Sequence, residues 1–131
     1  MEFTFPWPFS QGEWLAWSSA VVTILFGLIA LFAPGITLKI LRLETRPDHP
    51  EAVSEARATV SGFWLGVGIC CILLAQPFLY LVLGVSWALT AFGRMVSMLS
   101  DGGNTPYNWV SLLVEIVLAV LPLVFFFGFV P

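Results

Sequence analysis

From Ala58 to Gly93, 36 positions in a row, the chain carries no formal charge. Written as one α-helix this run would measure ~54 Å. The hydrocarbon core of a bilayer is only ~30 Å thick and is crossed by about 20 residues. A water-soluble chain cannot hide so long an apolar run on one face, and a membrane chain cannot lay it straight across. The run must fold back on itself. Gln76-Pro77 is the natural break, because it pairs a polar side chain with a residue that cannot donate to the helix ladder. The two halves are expected to form a helical hairpin with a very tight turn.

The rest of the chain follows the same logic. Hydrophobic residues make up 59% of the 131 residues and charged residues only 10%, too little charge to cover a soluble domain of this size. The sequence predicts an all-α fold, a single membrane domain over residues 1–131. It is a four-transmembrane-helix bundle with spans near 14–33, 55–76, 78–99 and 107–130, loops at 34–54 and 100–106, and both termini on the same side. Pro34-Gly35 ends the first span. Ile36 to Leu43 alternates apolar and basic residues, as suits a segment lying in the interface. The second helix begins near Glu51 and enters the membrane near Arg57. "SDGGNTPYN" is a loop by its turn-forming residues. Pro122 should kink the last span, which a bundle tolerates. The opening "MEFTFPWPFSQGEW" has Glu2 where a signal peptide would be basic. Its Phe3, Phe5, Trp7, Phe9 and Trp14 suit a membrane interface, as do Trp17 and Trp109, and most other aromatics are expected to face lipid.

The basic residues give the expected orientation. All five lysines and arginines, Lys39, Arg42, Arg46, Arg57 and Arg94, fall toward the side of the two inter-span loops. The positive-inside rule then puts both loops in the cytoplasm and both termini outside. In a bacterial inner membrane the termini would be periplasmic.

Several function classes are set aside at this stage. A net charge of −3 does not suit a nucleic-acid partner. Cys70 and Cys71 are adjacent and mid-span and read as space-filling residues. His49, near Glu51 and Glu55, reads as a solvated loop residue, so no metal and no cofactor is expected. Gly102 and Gly103 are turn residues. No serine–histidine pair lies within the spans, which argues against a hydrolase.

What remains is a polar constellation toward the loop side. Arg94 lies ~8 Å inside the end of span three, and Glu115 ~12 Å into span four from the same side. Two spans joined by a short loop are expected to be antiparallel neighbours. Each of these charges is costly alone in lipid, and together they neutralise each other. Thr90, Arg94, Ser97 and Asp101 share one helical stripe, as do Asn108, Ser111 and Glu115. On span two, Glu55 and Arg57 bracket the entry, with Ser61 a turn above. The expected cluster is thus Glu55, Arg57, Ser61, Arg94, Ser97, Asp101 and Glu115, either a structural lock or a ligand site. Span two also carries small residues at four-residue spacing, Ala58, Gly62 and Gly66, which mark a helix-packing face within the chain or toward a partner.

The stretches "EARATVSGFWLGVG", "FGRMVSMLSDG" and "LLVEIVLAVL" resemble a family of small four-span bacterial integral membrane proteins of unknown function. The resemblance lies in Glu-x-Arg opening span two, Gly-Arg-x-x-Ser-x-x-x-Asp-Gly closing span three, and a glutamate in span four. It extends over nearly everything from Trp14 onward. One departure is Val60-Ser61-Gly62, where members often carry an aromatic and two glycines. The resemblance implies the fold and the membrane location and no activity.

Two functions compete on the sequence. One is a non-catalytic subunit or scaffold that packs against a larger membrane complex, its partners the lipid bilayer and either another membrane protein or further copies of itself. The alternative is a binder or transporter of a small anionic lipid or isoprenoid that uses the Arg/Glu cluster. A lipid-directed enzyme with Glu115 as proton donor ranks below both, so the expectation is no catalysis.

Overall fold

The computed structural model describes residues 4–131; Glu2 and Phe3, read above as part of the N-terminal segment, lie outside the described residues. The helices are α1 (Gln11–Phe32), α2 (Pro34–Ile40), α3 (Glu51–Leu74), α4 (Pro77–Ser100) and α5 (Pro106–Phe126). The described residues contain no strand. α1, α3, α4 and α5 are each long and apolar enough to cross a membrane, so the protein has the all-α, four-span architecture its charge pattern demands. α3 is continuous but contains one wide π-helical turn at Ala56–Val60.

Local chemistry sets the helix ends. Ser10 caps α1, accepting the Glu13 backbone N–H at 3.2 Å, while the Glu13 carboxylate accepts the Phe9 N–H at 3.0 Å. This is a close variant of the reciprocal capping box. Thr105 caps α5 in the same way, accepting from the Asn108 N–H at 3.2 Å, with Pro106 at the first helical position. Pro34 does not merely end a span. It is the first residue of α2, a short helix whose Ile36, Lys39 and Ile40 are exposed. Between α3 and α4 only Ala75 and Gln76 are non-helical; Ala75 adopts a left-handed conformation (φ 50°), and Pro77 opens α4.

The transmembrane helices are not arranged in simple sequence order. α1 packs against both α3 and α5, and α5 packs against α4. α3 and α4 are consecutive, yet they touch each other much less than either touches its main neighbour. The core lies along the central helix pair: Ala16 and Ala20 of α1, Cys71 and Ile72 of α3, Tyr80, Leu83 and Trp87 of α4, and Leu118 and Ala119 of α5 are buried. Tyr80 and Trp87 therefore differ from the expectation of lipid-facing aromatics. Without a hydrophobic difference between helix and lipid, close approach does the packing. At Gly27 an added Cβ would lie 2.7 Å from Leu65 Cγ, and at Gly84 one would lie 2.5 Å from Leu123 Cγ.

The start of α1 lies beside the C-terminal residue: the Gly12 N–H donates to the Pro131 carbonyl at 2.9 Å. Pro122 lies inside α5 without ending it. Proline has no N–H for the carbonyl four residues earlier, and that carbonyl, of Leu118, instead accepts the Ser19 hydroxyl at 2.7 Å. The Trp87 indole N–H donates to Thr23 Oγ1 at 2.9 Å, and Thr23 Oγ1 in turn donates to the Ser19 carbonyl at 2.8 Å. One polar thread thus runs from α4 through α1 to α5, and it meets the backbone demand that lipid cannot.

Candidate ligand-binding site at the Arg94–Glu115 pair

α4 and α5 are antiparallel neighbours joined by a short loop, and they bring Arg94 and Glu115 together. The contact is bidentate: Arg94 Nε donates to Glu115 Oε1 at 2.7 Å and Nη2 donates to Oε2 at 2.8 Å. The planar guanidinium fork matches a carboxylate, which makes this the strong form of the interaction. The Glu115 side chain is 8% exposed and that of Arg94 22%. Arg94 Nη1 also donates to Asn108 Oδ1 at 2.7 Å, and Asn108 Nδ2 donates to the Gly103 carbonyl at 2.8 Å. The Thr105 cap fixes where α5 begins, and so puts Asn108 and Glu115 two turns apart on the face toward Arg94.

The other expected members lie elsewhere. Asp101 is exposed, just beyond the end of α4, and makes no ion pair with Arg94; Asn108 takes that place. Ser97 is half-buried, and its carbonyl accepts the N–H groups of Asp101 and Gly103 that turn the chain. Ser61 is buried against α1, donating to the Gly27 carbonyl at 3.0 Å. Glu55 is exposed and accepts from Thr59 Oγ1 at 2.8 Å. Arg57 is exposed, and no ion pair to it is formed among the described residues. The three-helix cluster thus resolves into an α4–α5 pair with Asn108, while Glu55, Arg57 and Ser61 of α3 belong to other surroundings. The reason is rotational: Ser61 on α3 turns toward α1. Ala58, Gly62 and Gly66 are exposed, and a Cβ built on Gly62 or Gly66 meets nothing within 4 Å. They form no packing face among the described residues.

Beside the ion pair lies a cavity of about 350 Å³, formed by α1, α2, α4 and α5 with Trp64 of α3. One wall is aromatic. Trp64 and Trp87 stack with centroids 6.1 Å apart and planes 24° apart, and Phe26 lies 5.7 Å from Trp64 and 6.3 Å from Trp87. Arg94 and Glu115 supply the polar lining, and Thr37 of α2 also borders the space. The Thr37 hydroxyl is buried and has no hydrogen-bond partner among the described residues. Tyr107 borders the cavity too and ties α2 to α5: its hydroxyl donates to the Ile40 carbonyl at 2.7 Å, and the Arg42 guanidinium lies 4.8 Å above its ring.

A sequence profile for a domain of unknown function, DUF4345, matches residues 12–126. The chain belongs to this family. The DUF4345 match takes in α2 to α5 whole and all of α1 except Gln11, so the ion pair and every helix bordering the cavity fall within the family's domain. No curated protein and no solved structure matches the chain. Membership carries no assigned chemistry, and any function for this DUF4345 protein has to come from the site.

The sequence reading missed Phe26, Trp64, Trp87 and Thr37. Trp64 and Trp87 did carry a signal: each lies well inside its span, far from the interface positions where tryptophan usually collects.

Proposed function

We propose that this protein is a multi-pass protein of the bacterial inner membrane that binds a small amphipathic molecule in the cavity between α1, α2, α4 and α5. The observation that carries the reading is the cavity itself, where an aromatic wall meets a buried, hydrogen-bonded charge pair. Binding sites for small molecules have this composition: mostly apolar surface, with a few convergent polar groups that fix orientation. No catalytic step is assigned to it. Ser111 borders the cavity from α5 and is half-buried, so Ser111→Trp should fill the space. Native mass spectrometry of mildly solubilised protein should show a bound small molecule on the wild type and none on Ser111→Trp. The same adduct on both would place the ligand elsewhere.

On this reading both loops are cytoplasmic and both termini periplasmic, supported by the one-sided distribution of the five basic residues. A cysteine placed at Gln11, in a background lacking Cys70 and Cys71, should react with an impermeant reagent in intact cells, and one at Asp48 should not. The reverse pattern would invert the orientation.

The competing reading, a non-catalytic subunit or scaffold, has its support in the uncovered stripe of Ala58, Gly62 and Gly66. That stripe borders an open groove between α3 and α4. A partner chain, or a second copy, in the same mass spectra would favour it.

A further inference from the structure

The state of the ion pair says what kind of head group the cavity accepts, given that the cavity is a ligand site. A guanidinium has five N–H donors. Arg94 spends Nε–H and one N–H of Nη2 on Glu115, and one N–H of Nη1 on Asn108. One N–H on each terminal nitrogen is left. Arg94 and Glu115 cancel each other's charge, and neither Lys39 nor Arg42 lines the cavity. The lining therefore includes a guanidinium with unspent donors but carries no net charge of its own, and the nearby Arg42 cation sits over the ring of Tyr107.

We infer that the ligand is a neutral, flat-bodied molecule whose head presents a hydrogen-bond-accepting oxygen, such as a ketone, ester or amide carbonyl, to Arg94. An anionic head is disfavoured by charge balance. Placed against the intact pair, it leaves the site with a net negative charge in a medium of low dielectric. If it displaces Glu115 from Arg94, it strands that carboxylate among apolar neighbours instead. A neutral carbonyl uses the spare N–H groups and changes no charge. The stacked Trp64 and Trp87 beside Phe26 suit a planar apolar body. This sharpens the sequence expectation of an anionic lipid into a different class.

Three probes share one ring system and differ only in the head: 2-acetylnaphthalene, 2-naphthoate and 2-ethylnaphthalene. Each is equilibrated by dialysis with nanodiscs carrying the wild-type protein, with empty nanodiscs and Ser111→Trp nanodiscs as blanks. The ketone should bind about ten- to a hundredfold more tightly than either of the others, the gain expected from a hydrogen bond to a charged donor. Equal binding of all three would overturn the head-group inference and leave the cavity reading standing. Tightest binding by the naphthoate would overturn it in favour of an anion. No binding above the blanks by any probe would remove the cavity reading itself. Glu115→Gln provides a second arm, since it removes the cancelling charge. In a folded Glu115→Gln protein the naphthoate should gain on the ketone, and an unchanged order would show that charge balance does not govern the choice. If that variant does not fold, the wild-type order still decides.

Discussion

Arg94→Leu should destabilise the bundle by about 3–5 kcal/mol, and Glu115→Leu by a similar amount. Each single change leaves one charge in a setting built to neutralise two. Glu115 is buried, and Arg94 is bordered by α5 and the apolar cavity. In Arg94→Leu the carboxylate loses both of its guanidinium hydrogen bonds at once, and Asn108 loses its donor. The double change removes the stranded partner along with the pair, so its cost should fall well below the sum of the single costs, with a coupling of at least about 2 kcal/mol. Equilibrium unfolding of the four proteins in one detergent measures the cycle. Purely additive losses would mean that the two side chains do not stabilise one another. Single variants of full stability that have lost ligand binding would assign the pair to the site alone, with no structural share.

That pair was legible in the sequence for a simple reason. Low dielectric forces a buried arginine to find a carboxylate, and only Glu115 lies at matching depth on the helix that follows. The span count was legible because a 36-residue uncharged run containing Gln76-Pro77 has one sensible way to cross a bilayer. Periodicity puts residues on a stripe but does not say which way the stripe faces. Ser61 was grouped with Arg94 because each lies on a polar stripe of its own helix toward the loop side, whereas α3 is turned so that Ser61 reaches Gly27 of α1. Asp101 was grouped with Arg94 at helical spacing, but α4 ends at Ser100 and the chain turns away through Gly103, so Asn108 of the next helix takes the contact. The cavity was invisible for a related reason. Its lining comes from every helix of the bundle, and α2 was read as an interfacial segment without a neighbour. Only the fold brings Thr37, Ile40 and Tyr107 to one place.

The glycines separate in the same way, and with a sharp expected outcome. Gly84→Val should cost roughly 2–3 kcal/mol, at the upper end of overpacking penalties, and Gly62→Val close to nothing in monomer stability. A Cβ at position 84 would sit 2.5 Å from Leu123 Cγ and 3.1 Å from the Ala119 backbone carbonyl. The leucine can shift, but the carbonyl belongs to α5 and moves only with it. This is the α4–α5 interface that also sets the distance between Arg94 and Glu115, so a displaced helix should loosen the ion pair as well. Gly84→Val should therefore lower ligand occupancy together with stability. Gly62 has nothing within 4 Å of its would-be Cβ, and a valine there has higher intrinsic helix propensity than glycine. Unfolding of both variants, read beside native mass spectra of their oligomeric state, tests the contrast. Loss of stability in Gly62→Val with the chain still monomeric would show a closer α3 packing than the structure has. Loss of a bound second chain in Gly62→Val, with unfolding unchanged, would instead make the stripe of Ala58, Gly62 and Gly66 an intermolecular contact and shift the balance toward the subunit reading.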